Sequence, residues 1–410
     1  MLKSSKFLDV VIVGAGAAGV GMCKVLADFG IDRYVCLERE TTGASFEKWT
    51  KGMRFITPSF TSNNFGSPDL NAVTYNTSPA YTLKTEHPTG AEYARFLKGV
   101  VKAFDLHVLE ETEVNSIKKV SAGFVLQTSR GEMAAKFLIW AAGEFGYPNN
   151  DAIVGAENAI HNSEVRDWEQ LEGDEFTILG GYESGIDAAF HLTKLGKKVS
   201  VLDARATWEE RDTDPSVSLS TYTLERLRRA QKTGNLELKS DVIFARIESE
   251  NRHFVVRGEN LDGEEFSVKS PTRPILATGF AGSLEAVKEF FEFDEDGQII
   301  LTEEADESTI TPGIFLSGFF ARIFNQRKWR DNGRKRQQQF QSICLFSASH
   351  NTFRAFGFYH EQSRRIEYSG RFRCGNQRRK SNRRHDVASF AVGDSCIFLF
   401  RRNGARFGFD

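Results

Sequence analysis

Residues 8–19 read Leu-Asp-Val-Val-Ile-Val-Gly-Ala-Gly-Ala-Ala-Gly. The apolar, β-branched run at 8–13 predicts a strand, Gly14-Ala15-Gly16-Ala17-Ala18-Gly19 a glycine turn, and Val20 to Phe29, closed by Gly30, a helix. A further apolar strand, Tyr34-Val35-Cys36-Leu37, ends at Glu38, 19 residues beyond Gly19. Strand, turn, helix, strand and acid therefore stand at the spacing of a dinucleotide-binding βαβ unit. In such a unit Gly14 permits the tight turn, Gly16 lets a pyrophosphate approach the backbone, and Gly19 allows helix and strand to pack closely. The helix start offers unpaired N–H groups and a partial positive charge. Glu38 would accept ribose hydroxyls and repel a 2′-phosphate, which selects FAD or NAD.

The pattern restarts further along. Phe176-Thr177-Ile178-Leu179 predicts a strand, Gly180-Gly181-Tyr182-Glu183-Ser184-Gly185 a second glycine turn, and Ile186 to Leu195 a helix closed by Gly196. The strand Val199-Ser200-Val201-Leu202 ends at Asp203, 18 residues past Gly185. Tyr182 stands where the middle glycine would be, so a pyrophosphate would approach less closely or at a shifted angle. Asp203 favours a free 2′-hydroxyl, whereas Arg205 could pair with a 2′-phosphate through its planar fork. The reading leans to NADPH, with NADH open, and with Arg205 and Arg211 as plain solvated charges the alternative. Two such units make physical sense when hydride passes from a nicotinamide to a flavin between them.

Between the units, residues 41–88 form a loop-rich stretch too long for a mere connector, and long ordered loops tend to line sites. It contains Trp49, Thr57-Pro58-Ser59-Phe60 and Asn63-Asn64-Phe65-Gly66. Pro88-Thr89-Gly90 opens an amphipathic helix through Phe104, and alternating strands at 113–119, 123–128 and 133–140 predict an antiparallel hairpin rejoining the main sheet at Ala141-Ala142-Gly143. Residues 243–268 alternate as short strands, and Ala277-Thr278-Gly279 leads toward a last strand at 313–318. The fold class expected is α/β: two Rossmann-like, three-layer dinucleotide-binding domains, the second inserted in the first. The first would take 1–148 and 273–318 for FAD, the second 149–272 for NAD(P)H, and a non-globular basic tail would follow at 319–410.

Composition is ordinary for a globular protein: 410 residues, 40% hydrophobic, 26% charged, net charge −2. Collagen, coiled coil and wholesale disorder are excluded, and nothing pulls the whole chain toward nucleic acid or anionic lipid. No apolar run reaches the roughly 18 residues of a membrane span, which makes the cytoplasm the expected location. The cysteines, Cys23, Cys36, Cys344, Cys374 and Cys396, show no C-x-x-C pair and no ligand spacing, so neither a disulfide framework nor a metal site is expected. The average conceals a split. From Phe319 to Asp410 there are 17 Arg and 3 Lys against 6 acids, leaving −16 on the first 318 residues. Periodicity is lost at the same point, and a shift of coding frame near Gly318 explains both. A genuine basic tail for RNA or membrane phosphates, using Arg378-Arg379-Lys380 and Arg383-Arg384, is the competing reading, and an ordinary domain of another kind a third.

The chain resembles the CzcO-type flavoproteins, within the wider superfamily of flavin-containing monooxygenases, Baeyer–Villiger monooxygenases and thioredoxin-reductase-like enzymes. Besides both turns, Gly43 to Trp49, Phe55 to Phe60, Pro68 to Ala72 and Glu86 to Gly90 carry the likeness, over about residues 7–318. It implies FAD on Gly14, Ala15, Gly16, Ala17, Ala18, Gly19 and Glu38, with Trp49, Thr57 and Ser59 near the flavin. It implies NADPH or NADH on Gly180, Gly181, Tyr182, Glu183, Ser184, Gly185, Asp203 and Arg205. Gly143 and the Thr278-Gly279 pair would mark the crossings between domains. Val154-Gly155 with His161 and Trp168 looks like a loosened monooxygenase signature. Asn63 or Asn64 would be the catalytic donor toward the flavin, although Thr57 is followed by Pro58 where monooxygenases carry asparagine, and both Asn residues also suit a turn.

The implied activity is oxidation of NAD(P)H with monooxygenase-like chemistry on a small substrate and O2. A reductase of a small disulfide or quinone is the alternative, and a non-catalytic flavin- and NAD(P)-binding regulator linked to ion transport is the alternative of another class. Bacillithiol-disulfide reductases resemble this chain but carry cysteine in the first turn, where it has Ala18. Cys23 reads as a small buried residue rather than a nucleophile, and His87 as a structural histidine beside a helix. A homodimer is an open option.

Overall fold

The computed structural model describes residues 7–61, 69–74, 77–151, 153–205, 208–211, 218–295, 297–302 and 305–318. Asn63, Asn64 and the basic tail lie outside these.

Strand β1 (Phe7–Val13) runs into helix α1 (Ala17–Asp28) and strand β2 (Tyr34–Leu37). Two short helices, α2 (Ala44–Glu47) and α3 (Pro79–Leu83), punctuate the long loop, and α4 (Gly90–Ala103) follows. Thr89 caps α4 through a reciprocal pairing with Glu92, so the Pro-Thr-Gly start found in the sequence is a capping box. Strands β3 (Val108–Leu109), β4 (Val114–Val120), β5 (Gly123–Thr128) and β6 (Gly131–Trp140) complete this half. Sheet order is β3-β2-β1-β6-β5-β4, parallel from β3 to β6 and antiparallel beyond. Val10, Val11 and Ile12 are buried, as a parallel strand covered on both faces requires.

A second sheet interrupts the first. It contains β7 (Ile160–His161), β8 (Glu175–Leu179), α5 (Glu183–Lys194), β9 (Lys198–Leu202), α6 (Thr221–Gln231) and β10 (Leu236–Lys239). An antiparallel meander, β11 (Val242–Glu250), β12 (His253–Asn260) and β13 (Glu265–Ser270), leads to β14 (Ile275–Leu276). The order β10-β9-β8-β14-β7 is parallel throughout. The chain then returns by a 3-10 segment (Ser283–Phe290) and the pair β15 (Glu292–Phe293) and β16 (Ile299–Ile300) to β17 (Ile314–Leu316). β17 pairs in parallel with residues 138–140 of β6, while β5 pairs with 131–135 of that strand. The second parallel sheet is thus nested between β6 and β17 of the first, a three-layer α/β pair in which one unit is inserted in the other.

The two crossings are bonded to each other. Asn149 donates to the Gly279 carbonyl at 3.0 Å, Ala281 to that of Tyr147 at 2.8 Å, and Ser283 to that of Gly143 at 3.1 Å. Outgoing residues 143–149 and returning residues 279–283 therefore run as one antiparallel strap.

Candidate functional site

The first turn stands at the carboxyl ends of β1, β2 and β6. Gly14 has φ +101°, a region in which only glycine is unstrained, and a Cβ there would lie 2.5 Å from the Ala141 carbonyl oxygen. A Cβ on Gly19 would come within 1.8 Å of the Gly14 carbonyl oxygen, so the helix rests directly on the turn. Gly16 differs: its φ is −76°, which any residue can adopt, and a Cβ there would meet nothing within 4 Å. It needs no glycine for conformation or packing, and open space above a helix N-cap is what a close-approaching phosphate requires.

Glu38 closes the turn. One carboxylate oxygen accepts the Ala15 N–H at 2.8 Å and the other the Glu40 N–H at 3.0 Å. A carboxylate has about four acceptor positions, so two amides leave capacity for ribose hydroxyls. Beside it opens a cleft of about 120 Å³ bounded by Gly14, Glu38, Arg39, Thr112, Trp140 and Tyr147. Open cradle, acid and cleft at one sheet edge fit the adenosine diphosphate half of FAD. Thr112 and Tyr147 come from β3–β4 and the crossing, and no local motif in the sequence singles them out.

The long loop folds back on this turn. Gly43 donates to the Ala15 carbonyl at 3.0 Å, and Val73 packs against Gly21 of α1. Trp49 packs at a tilt against Phe46 and Phe55 at ring separations of 5.4 and 5.0 Å, and Gly90 packs so tightly on Trp49 that a Cβ would lie 2.8 Å from that of the tryptophan. Asn71 ties down the Thr57–Ser59 segment by donating to the Thr57 carbonyl at 2.9 Å and to the Ser59 hydroxyl at 2.8 Å. Ser59 is buried. Gly318 arrives over Ala18, where a Cβ would stand 3.3 Å from the alanine methyl.

The second turn repeats the first. Gly180 has φ +103°, with its Cβ position 2.5 Å from the Ala277 carbonyl oxygen, and a Cβ on Gly185 would lie 1.9 Å from the Gly180 carbonyl oxygen. Ala277 thus does for Gly180 what Ala141 does for Gly14. Asp203 accepts the Gly181 N–H at 2.7 Å and the Arg205 N–H at 2.8 Å, the pattern found at Glu38. Tyr182 adopts φ −89° and ψ −159°, close to the −76° and −168° of Gly16, so the residue exchange leaves the backbone path unaltered. Its hydroxyl donates to the Ser218 carbonyl at 2.9 Å. Glu183 would repel a phosphate from the first turn of α5, but its carboxylate accepts the Ser220 amide at 2.5 Å together with the Ser220 and Thr223 hydroxyls at the start of α6. With Tyr182 and Glu183 both committed to the α6 side, the turn suits a second dinucleotide. Trp208 was not legible as a site residue; its indole N–H donates to the Gly181 carbonyl at 2.8 Å.

Gly143 and Gly279 both have positive φ, 70° and 77°, with open space where a Cβ would be. Thr278 reaches Asn150 at 3.5 Å. His161 secures the returning crossing: Nδ1 accepts the Ser163 amide, which leaves Nε2–H to donate to the Gly279 carbonyl at 3.1 Å. Burial holds its pKa below the usual histidine value. Glu144 follows Gly143 in the outgoing crossing, and burial pushes its carboxyl up to about 7. Cys23 and Cys36 are fully buried, and the neighbouring Cys23 thiol with burial raises the Cys36 pKa well above normal. Among the described residues no cluster of His, Cys, Asp or Glu could hold a metal ion, and no helix is long and apolar enough to cross a membrane.

The pyridine nucleotide-disulphide oxidoreductase family model matches residues 11–318. The chain belongs to that family. Within the pyridine nucleotide-disulphide oxidoreductases it is similar to the oxidoreductase CzcO of Bacillus velezensis, 27% identical over 194 residues, 45% of this chain and 52% of that protein. The match thus spans about half the length of that relative. Among solved structures it is similar to bacillithiol disulfide reductase from Staphylococcus aureus, TM-score 0.61 and 22% identity, covering 77% of this chain and 91% of that one. It is also similar to flavin-containing monooxygenase from Stenotrophomonas maltophilia, TM-score 0.57 and 18% identity, covering 86% and 97%. The family is one of oxidoreductases, FAD and NAD(P)H are the cofactors it implies, and the chain has the two-dinucleotide-domain fold that these neighbours share.

Proposed function

We propose that the protein takes hydride from NAD(P)H onto FAD and spends the electrons on monooxygenase-like chemistry with a small substrate in the cytoplasm. Residues 1–148 with 273–318 hold FAD on the first turn and Glu38, and 149–272 hold the nicotinamide nucleotide on the second turn and Asp203. The observation that carries this reading is the repeated clamp: each acid accepts the amide of its turn's second residue, at 2.8 Å for Glu38 and 2.7 Å for Asp203. Bound flavin supplies two-electron chemistry, accepting hydride from a nicotinamide and passing the electrons onward. The chain's own part is to fix two adenosine ends, hold the pyrophosphates on N–H groups, and exclude water with the aromatic wall of Phe46, Trp49 and Phe55.

Oxygenation is favoured over disulfide reduction by the state of the thiols. Disulfide exchange needs an accessible thiolate, and Cys23 and Cys36, the cysteines among the described residues, are both buried, with the Cys36 pKa raised. Anaerobic mixing of the FAD-loaded protein with NAD(P)H should bleach the flavin absorbance. On readmission of oxygen, hydrogen peroxide released well after oxygen is consumed supports oxygenation. Immediate stoichiometric peroxide, with turnover of added quinone or disulfide, would replace it with the reductase reading, and no bleaching would point to the regulator.

A further inference from the structure

We infer that the second nucleotide site takes NADH rather than NADPH, and that Asp203 is the residue that decides. This rests on the reading that the second turn holds the nicotinamide nucleotide. The sequence sets two opposed charges there, Asp203 and Arg205, and leaves the choice open. The geometry separates their roles.

Asp203 is clamped through both carboxylate oxygens, Oδ2 by the Gly181 amide at 2.7 Å and Oδ1 by the Arg205 amide at 2.8 Å. Glu38 is clamped in the same register, by the second residue of its turn at 2.8 Å and by the second residue beyond itself at 3.0 Å. A carboxylate held at both oxygens cannot swing aside for a competing anion, so its charge stays at the mouth of the turn, where the adenosine ribose of a dinucleotide lies. Ribose hydroxyls can donate to that charge. A 2′-phosphate brings roughly −1.5 to −2 of further charge and acceptor oxygens only, against a fixed anion.

Arg205 takes part through its backbone N–H, which helps to pin the acid, while the residue itself is exposed. A guanidinium in water pairs weakly with an exposed anion. Space points the same way. A Cβ on Gly181 would lie 2.9 Å from the Asp203 Cβ and 2.8 Å from the Trp208 ring. The acid and the indole therefore close on the turn from two sides.

The test is calorimetric titration of the full-length, FAD-saturated protein with NAD+ and with NADP+, which differ only by the 2′-phosphate. Tenfold or tighter binding of NAD+ is expected. Asp203→Ser should level that ratio, and Arg205→Ala should leave it unmoved. Equal or tighter binding of NADP+ by the unaltered protein, or a loss of NADP+ affinity alone in Arg205→Ala, overturns the assignment and leaves hydride transfer standing. Binding of neither nucleotide overturns both.

Discussion

Gly19 stands so close beneath Gly14 that a methyl group on it would come within 1.8 Å of the Gly14 carbonyl oxygen, whereas a methyl on Gly16 would touch nothing within 4 Å. Two glycines of one motif therefore separate into a packing residue and an access residue. Gly19→Ala should destabilise the fold by about 3 kcal/mol, the upper range for overpacking. Gly16→Ala should leave urea unfolding of the apoprotein within about 0.5 kcal/mol of the parent and lower FAD affinity tenfold or more. Equal FAD binding by Gly16→Ala would remove the pyrophosphate from this turn.

Glu38→Ala deletes the acceptor of the Ala15 and Glu40 amides, together with the one proposed for the ribose hydroxyls. Hydrogen bonds to a charged group are worth about 1.5–3 kcal/mol, so flavin retention through gel filtration should drop, with dissociation constants rising ten- to a hundredfold. Undiminished retention would contradict the site.

His191 on α5 lies under Gly52, where a Cβ would be 2.8 Å from its Cε1. Burial, with the nearby Lys194 charge, depresses its pKa from 6.5 to about 4. The folded protein thus binds fewer protons than the unfolded chain. The stability involved is fully present above 6.5 and is lost as pH falls toward 4, by on the order of 3 kcal/mol. His191→Gln should flatten unfolding free energy between pH 7 and 4.5; an unchanged slope would assign the acid sensitivity elsewhere.

Glu144 runs the opposite way. With its pKa raised by burial from 4.5 to about 7, it favours the folded state below 4.5 and loses that contribution as pH rises through 7. Glu144→Gln should match the parent at pH 4 and exceed it at pH 8 by on the order of 3 kcal/mol. Equal stability at pH 8 would mean that the carboxyl is hydrated.

Both turns, both acids and the strands that carry them were legible because each βαβ unit is local: about thirty residues contain the whole pattern. The capping box at Thr89 and Glu92 was legible in part for the same reason. The partners that complete each turn were not. Ala141 reaches Gly14 and Ala277 reaches Gly180 from the far side of their units, and His161 bonds Gly279 at a separation of 118 residues. The Thr57–Ser59 segment stood out in the sequence, but its conformation did not, since that is set by Asn71 and by Asp69, which accepts from Ser78 at 2.8 Å and the Ala80 amide at 3.1 Å, and no period marks such a network.

Bonding the outgoing and returning crossings to each other also couples the two tethers of the inserted unit. Joined by three amide hydrogen bonds and held by His161 from the inserted side, neither crossing can shift without carrying the other or breaking those bonds.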